Sequence, residues 1–244
     1  MSTVELEPLP DDWSRAMAVV AHPDDLEYGA ASAVARWTSE GKEVVYVLAT
    51  SGEAGIDSLD PSECGPLREE EERRGAARVG VTSVEFLGHR DGVLEYGLAL
   101  RHDFARAIRR HRPEVLVTIN HHASFEGGGV NMADHRVVGD ALIDAARDAG
   151  NRWVFTDLLD EGLEPWGDAR RIFVAASPLG AHAVDVTGFV DAGIASLREH
   201  RAYLDGLAAG TVGTDPDPFL RGMAAQTGAR FGGRPAVGFE LIQL

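Results

Sequence analysis

Two short segments of this 244-residue chain carry side chains of the kind that hydrolytic chemistry needs. His22-Pro23-Asp24-Asp25 sets one imidazole and two carboxylates side by side, and Asp134-His135 adds another of each far downstream. Catalytic zinc sites take three ligands of His or carboxylate type and keep one position for water. His22, Asp25 and His135 would supply that set, with Asp24 left to face the water. Adjacent carboxylates can divide these duties only if the backbone turns sharply between them, and Pro23 helps set such a turn by fixing its own φ. HPDD by itself also reads as an Asx-turn opening a helix, because Pro and Asp are favoured there. A second histidine in a matching position weighs towards chemistry.

The flanking pattern supplies elements that would bring the two segments together. Ala16 to Ala21 is a short apolar run that ends at His22, and Val44 to Ala49 is a second strand of buried character. Val84 to Leu87 and Val115 to Ile119 are two more, the fourth leading into a Gly-rich loop, Asn120 to Ala133. Helical faces lie between them: Ala30, Ala33, Val34 and Trp37; Arg68 to Val79; and Leu100, Phe104 and Ile108. Thr50 to Pro66 reads as a loop, and Asp134 as the N-cap of a helix running to about Gly150. Glu69 to Glu72 reads as a solvated helix face. Buried strands alternating with helices predict a mainly parallel α/β sheet covered on both faces. Ligands of such sheets sit at the carboxyl ends of strands, near a switch in strand order. If the first and fourth strands are neighbours, both segments meet there. The second half predicts strands at Ile172–Ala176, Ala183–Val186 and Val237–Ile242, a helix over Asp191–Leu207, and a turn-rich connection over Thr211–Phe219. No linker divides the chain, so residues 1–244 read as one domain.

Ala21-His22-Pro23-Asp24-Asp25 resembles the (A/P)HPDD signature of the LmbE-like/PIG-L family of zinc-dependent de-N-acetylases. Thr50-Ser51-Gly52-Glu53, Arg68-Glu69-Glu70, Phe86-Leu87-Gly88 with Asp91-Gly92, and Asp134-His135-Arg136 resemble further family features in the same order. Val184-Asp185-Val186-Thr187 and His200 are similar to weaker C-terminal ones. The resemblance implies a Rossmann-like fold and Zn2+ held by His22, Asp25 and His135. It implies Asp24 as general base, and substrate contacts at Arg68 and Asp91. It also implies de-N-acetylation of an N-acetylglucosamine-type group on a small-molecule conjugate or natural product.

The chain departs from the family's HxDH pattern, reading Met132-Ala133-Asp134-His135. Methionine cannot donate a proton to an oxyanion or a leaving amine. His121 and His122 are therefore candidate catalytic residues, and Asn131 of the same loop a candidate polar contact to the substrate. His182 and His200 are more remote candidates. The departure also motivates an alternative, a metal-binding relative with weakened or altered catalysis that acts on or binds a biosynthetic intermediate. A dinucleotide is not expected, since no glycine-rich phosphate loop follows the first strand.

Composition narrows the partners. Lys+Arg 23 against Asp+Glu 39 gives a formal net charge of −16, which repels phosphate backbones and argues against nucleic acid as a partner. No apolar run approaches the ~20 residues of a membrane helix. The acidic start, Met1 to Trp13, lacks the features of a secretory signal, and Cys64 is the lone cysteine. These features read as a cytoplasmic protein acting on a small, sugar-containing molecule, with a homo-oligomer left open.

Overall fold

The computed structural model describes residues 5–208 and 210–244, so part of the acidic start, residues 1–4, lies outside the described residues. The short edge strand β1 (Glu7–Pro8) precedes β2 (Arg15–Val20), which is buried on both faces. Alternate residues of β2 feed two cores: Ala16, Ala18 and Val20 face one, Met17, Val19 and Ala21 the other. This is the pattern of a strand covered on both sides. Helices α1 (Asp25–Gly29) and α2 (Ala31–Ser39) follow, then β3 (Glu43–Leu48), α3 (Pro61–Arg78) and β4 (Ser83–Phe86). Next come α4 (Leu98–His111), β5 (Val115–Ile119), α5 (Ala133–Gly150) and α6 (Asp157–Asp160). The chain closes through β6 (Arg171–Ala175), β7 (His182–Asp185), α7 (Val190–Leu197), α8 (Arg201–Gly206), α9 (Pro216–Gly228) and β8 (Ala236–Gln243).

All eight strands form one sheet in the order β1-β7-β8-β6-β5-β2-β3-β4. β2 pairs in parallel with β3 on one side and β5 on the other, with Ala16 opposite Val115 and Ala18 opposite Val117. The strand order therefore reverses at β2/β5, and the crevice of the switch point opens where His22 and the loop after β5 emerge. β8 alone runs antiparallel, between β6 and β7. Residues of α1, α2, α3, α7 and α9 pack with Trp37, Tyr46 and Phe173 on one face; those of α4, α5 and α6 pack with Phe104, Ile108 and Leu142 on the other.

Four expectations need correction. Helix α3 begins at Pro61, with Asp60 accepting from the Ser62 N–H, so it takes in Pro66 and shortens the loop. Asp134 is not a cap. It sits inside α5, whose N-cap position is Met132, and its carboxylate is used elsewhere. The helix expected over Asp191–Leu207 breaks into α7 and α8 at His200 (φ −80°, ψ 52°), where Glu71 reaches over to accept the freed Ala202 N–H at 2.7 Å. Finally, the connection after Thr211 turns helical at Pro216, behind an Asp215 cap that accepts from Asp217 N–H.

Candidate active site

The HPDD turn is held in an uncommon conformation. Asp24 has φ 88°, in the left-handed region that non-glycine residues seldom occupy. Helix α3 pins it from two positions one turn apart. Glu72 Oε2 accepts the Asp24 N–H at 3.1 Å. Arg68 Nη2 donates to Asp24 Oδ2 at 2.9 Å and to the Pro23 carbonyl at 2.6 Å, and Arg68 Nη1 donates to the Gly52 carbonyl at 3.0 Å. The reversal lets Asp24 and Asp25 point different ways.

Asp25 anchors one oxygen and presents the other. Its Oδ2 accepts from the Ala21 and His22 amides at 3.1 and 2.9 Å, while Oδ1 lies 3.0 Å from His135 Nε2. The proton on His135 can be assigned. Asn131 Nδ2 donates to the carbonyls of Asn120 and His122, so Oδ1 is its acceptor, and it takes the Met132 N–H and the His135 Nδ1–H. His135 Nε2 therefore carries a lone pair, is buried without a hydrogen bond, and faces a carboxylate oxygen. Two lone pairs this close call for positive charge between them, either a second proton on His135, whose pKa burial lowers but Asp25 raises by more, or a metal cation.

His22 repeats the arrangement. Its Nε2 is 3.3 Å from Asp134 Oδ2 and 3.0 Å from Asp91 Oδ1, two carboxylates that hold the proton on that nitrogen. Both carboxylates are themselves fixed: Asp134 accepts from Gly92 and Leu94 amides, and Asp91 from Ala54. The free His22 Nδ1 turns towards Asp25 at 3.6 Å. His22, Asp25 and His135 thus offer donor atoms within 4.8 Å of one another. Ligands about 2.1 Å from a tetrahedral zinc lie roughly 3.4 Å apart, so the spacing fits. Imidazoles that ligate metals characteristically donate the other N–H to a carboxylate or amide oxygen, as both do here.

The electrostatics agree. Burial pulls the His22 pKa down, but hydrogen bonds to Asp134, Asp25 and Asp91 outweigh it and push it up to about 12. Burial works against the charge on Asp25, yet His135 and His22 hold its carboxyl far below the usual range. A site that binds a proton this tightly is built for positive charge. Asp24 differs. Burial raises it and Arg68 restrains it, leaving a carboxyl at about 7, the range suited to a general base near neutrality.

The sequence-derived candidates separate into three groups. His22, Asp24, Asp25 and His135 come together. Arg68, Asp91 and Asn131, expected to meet substrate, are spent on neighbours instead: Arg68 on Asp24, Asp91 on His22, Asn131 on His135. Arg68 and Asn131 are each only 2% exposed, so their contacts are those of positioning groups. His121 and His122 share no hydrogen bond or ion pair with the four central residues. His121 Nδ1 bonds Asp140 and His122 Nε2 bonds Glu240, at 3.1 and 2.7 Å. Glu72, read with Glu69 to Glu71 as a solvated helix face, was not foreseen as a functional residue. It is buried, like Glu71, and not on a solvated face; its spacing of four from Arg68 was the available signal.

Fold and site together define a class, the α/β deacetylases that hydrolyse amide bonds. Residues 17–146 match the family model described as PIG-L, GlcNAc-PI de-N-acetylase, and the chain belongs to the PIG-L family. It is 28% identical over 239 residues to diacetylchitobiose deacetylase of Thermococcus kodakarensis, covering 95% of this chain and 84% of that protein. It is also 28% identical to a 1D-myo-inositol 2-acetamido-2-deoxy-alpha-D-glucopyranoside deacetylase of Kineococcus radiotolerans, over 78% of this chain and 69% of the relative. Among solved structures, N,N'-diacetylchitobiose deacetylase of Pyrococcus horikoshii superposes with a TM-score of 0.85 at 26% identity, covering 95% of this chain and 85% of that one.

Proposed function

We propose that this protein is a zinc-dependent de-N-acetylase acting on an N-acetylglucosamine-type group of a small conjugate. The observation that carries the reading is the convergence of His22 Nδ1, Asp25 and His135 Nε2, beside a separate buried carboxylate, Asp24. Two imidazoles and a carboxylate are a zinc-type donor set with a position to spare. A zinc ion held there supplies Lewis-acid polarisation of the amide carbonyl and of the attacking water. The acetamido-sugar substrates in the names of the Thermococcus and Kineococcus relatives support the substrate class.

The chain's own residues do the rest. Asp24 takes the proton from water as it attacks the carbonyl. Arg68 fixes the Asp24 carboxylate and offsets part of the rise in its pKa that burial causes. With Met132 where the family pattern has histidine, Asp24 also returns that proton to the leaving amine. Asp91 and Asp134 hold the His22 ring, and Asn131 holds His135. His121 and His122 are held instead by Asp140 and Glu240.

The test is acetate release from a panel of N-acetylglucosaminides, with metal content measured on the same samples. We expect one zinc lost and acetate release abolished in His22→Ala. Asp24→Ala should keep its metal and lose activity by 10²-fold or more. An Asp24→Ala enzyme that still releases acetate at the wild-type rate overturns the assignment of the base, and native protein without metal at His22 overturns the whole reading.

A further inference from the structure

Behind the HPDD turn lies a second cluster that the hydrolytic reading leaves without a task. Glu27 on α1, Glu72 on α3 and His200 at the break between α7 and α8 are 1%, 1% and 0% exposed. His200 Nε2 sits 3.8 Å from Glu27 Oε2 and 3.7 Å from Glu72 Oε2, beyond hydrogen-bond reach of either. Both nitrogens of His200 are buried without a hydrogen bond, and so are Glu27 Oε2 and Glu72 Oε1. Buried polar atoms are nearly always partnered. Here a wholly buried imidazole is aimed between two wholly buried carboxylates, and none of them satisfies the others.

The surroundings are shaped around this cluster. Gly75 on α3 leaves little room beside it: a Cβ there would lie 3.1 Å from His200 Nε2 and 3.3 Å from Glu27 Oε1. The remaining carboxylate oxygens are tied down, Glu27 Oε1 by the Ser196 hydroxyl at 3.0 Å and Glu72 Oε2 by the Asp24 amide. One donor atom from each of the three residues lies within 4.8 Å of the other two. Ligands ~2.1 Å from a shared cation at angles of 110–120° lie about 3.4–3.6 Å apart, close to the separations seen. Two carboxylates and one neutral imidazole also match a divalent cation in charge, and buried charge is tolerated only when so compensated.

We infer that Glu27, Glu72 and His200 form a second, fully enclosed site for a divalent transition cation of the zinc or manganese class. It is structural in character, since no position opens to solvent. It would bear on the hydrolytic centre only through Glu72, which holds the Asp24 amide. The inference does not depend on the proposed activity, because it concerns different ligands and is read by metal content.

The test is total divalent metal per chain, by elemental analysis, in protein produced with zinc and manganese supplied. Two equivalents are expected. Brief dialysis of the folded protein against EDTA should remove one and leave the enclosed one. His22→Ala should hold one equivalent that resists EDTA; Glu27→Gln/His200→Ala should hold one that does not. Should the double variant fail to fold, anomalous scattering from crystals of the unaltered protein decides the matter by a peak between His200 Nε2 and the two carboxylates. A single equivalent, fully labile to EDTA, with no such peak, overturns the inference and assigns the space to protons and water.

Discussion

A carboxylate in a dry pocket prefers its proton, and Asp24 is useful only without one. Burial raises its pKa and the Arg68 guanidinium pulls it back, with about 7 as the balance. A base works in its ionised form, so kcat/KM should rise with pH along an acid limb. A divalent cation beside Asp24 lowers that limb further, placing it at or below about 7. Arg68→Met removes the restraint, and the limb should move to higher pH; an unmoved limb would show that Arg68 does not tune the base. Asn131 acts one residue further out. Its Oδ1 fixes which His135 nitrogen carries the proton, and loss of such a partner typically weakens metal binding 10–100-fold. Zinc titration of Asn131→Ala against a competing chelator measures this directly.

At the scale of elements, helix α5 presents His135 and packs closely on the loop that precedes it. A Cβ at Gly139 would meet His121 Cβ at 2.2 Å, an atom next to backbone that cannot swing aside. Alanine favours a helix interior by about 1 kcal/mol over glycine, but overpacking costs ~1–3 kcal/mol. Gly139→Ala should therefore lower the melting temperature, and a rise would mean that the 120–133 loop yields freely. The elements themselves were largely legible in the sequence. Apolar runs of strand length marked β2, β3, β4 and β5, and the pairing of β2 with β5, only a condition in the sequence, sets His22 beside the loop after β5. The metal-binding candidates were legible as His and Asp where β2 gives way to α1 and in the first turn of α5 beyond the loop after β5. Glu72 was not, because a run of four glutamates looks solvated until the α7/α8 break places His200 over it. The break was hidden for the same reason: its cap is Glu71, distant in sequence. Arg68 and Asn131 were found as polar residues near the site, but only tertiary packing decides whether such a group faces substrate or a neighbour.

The molecule as a whole carries a formal charge of −16. Self-repulsion of that size destabilises the compact state, and salt screens it over about 8–10 Å at physiological strength. Raising salt from about 10 to 150 mM should raise the melting temperature of the metal-loaded protein; no change would mean that the acids are neutralised within their own ion-pair networks. The same surface should leave polyanions unbound, and retention on heparin would contradict that expectation. No helix among the described residues is long and apolar enough to cross a membrane.

The left-handed turn at Asp24 sets backbone strain against a buried ion pair at a single position. Glycine adopts φ 88° without the penalty of a Cβ, which is roughly 1–2 kcal/mol for other residues. Asp24→Gly and Asp24→Ala lose the same carboxylate and the same Arg68 partner, so their difference isolates the backbone. The glycine variant should be the more stable of the two by about 1 kcal/mol, and both should be inactive. Against the native aspartate, either variant also strands the buried Arg68 guanidinium, a loss larger than the strain that glycine relieves, so the ion pair is what holds an aspartate in this conformation.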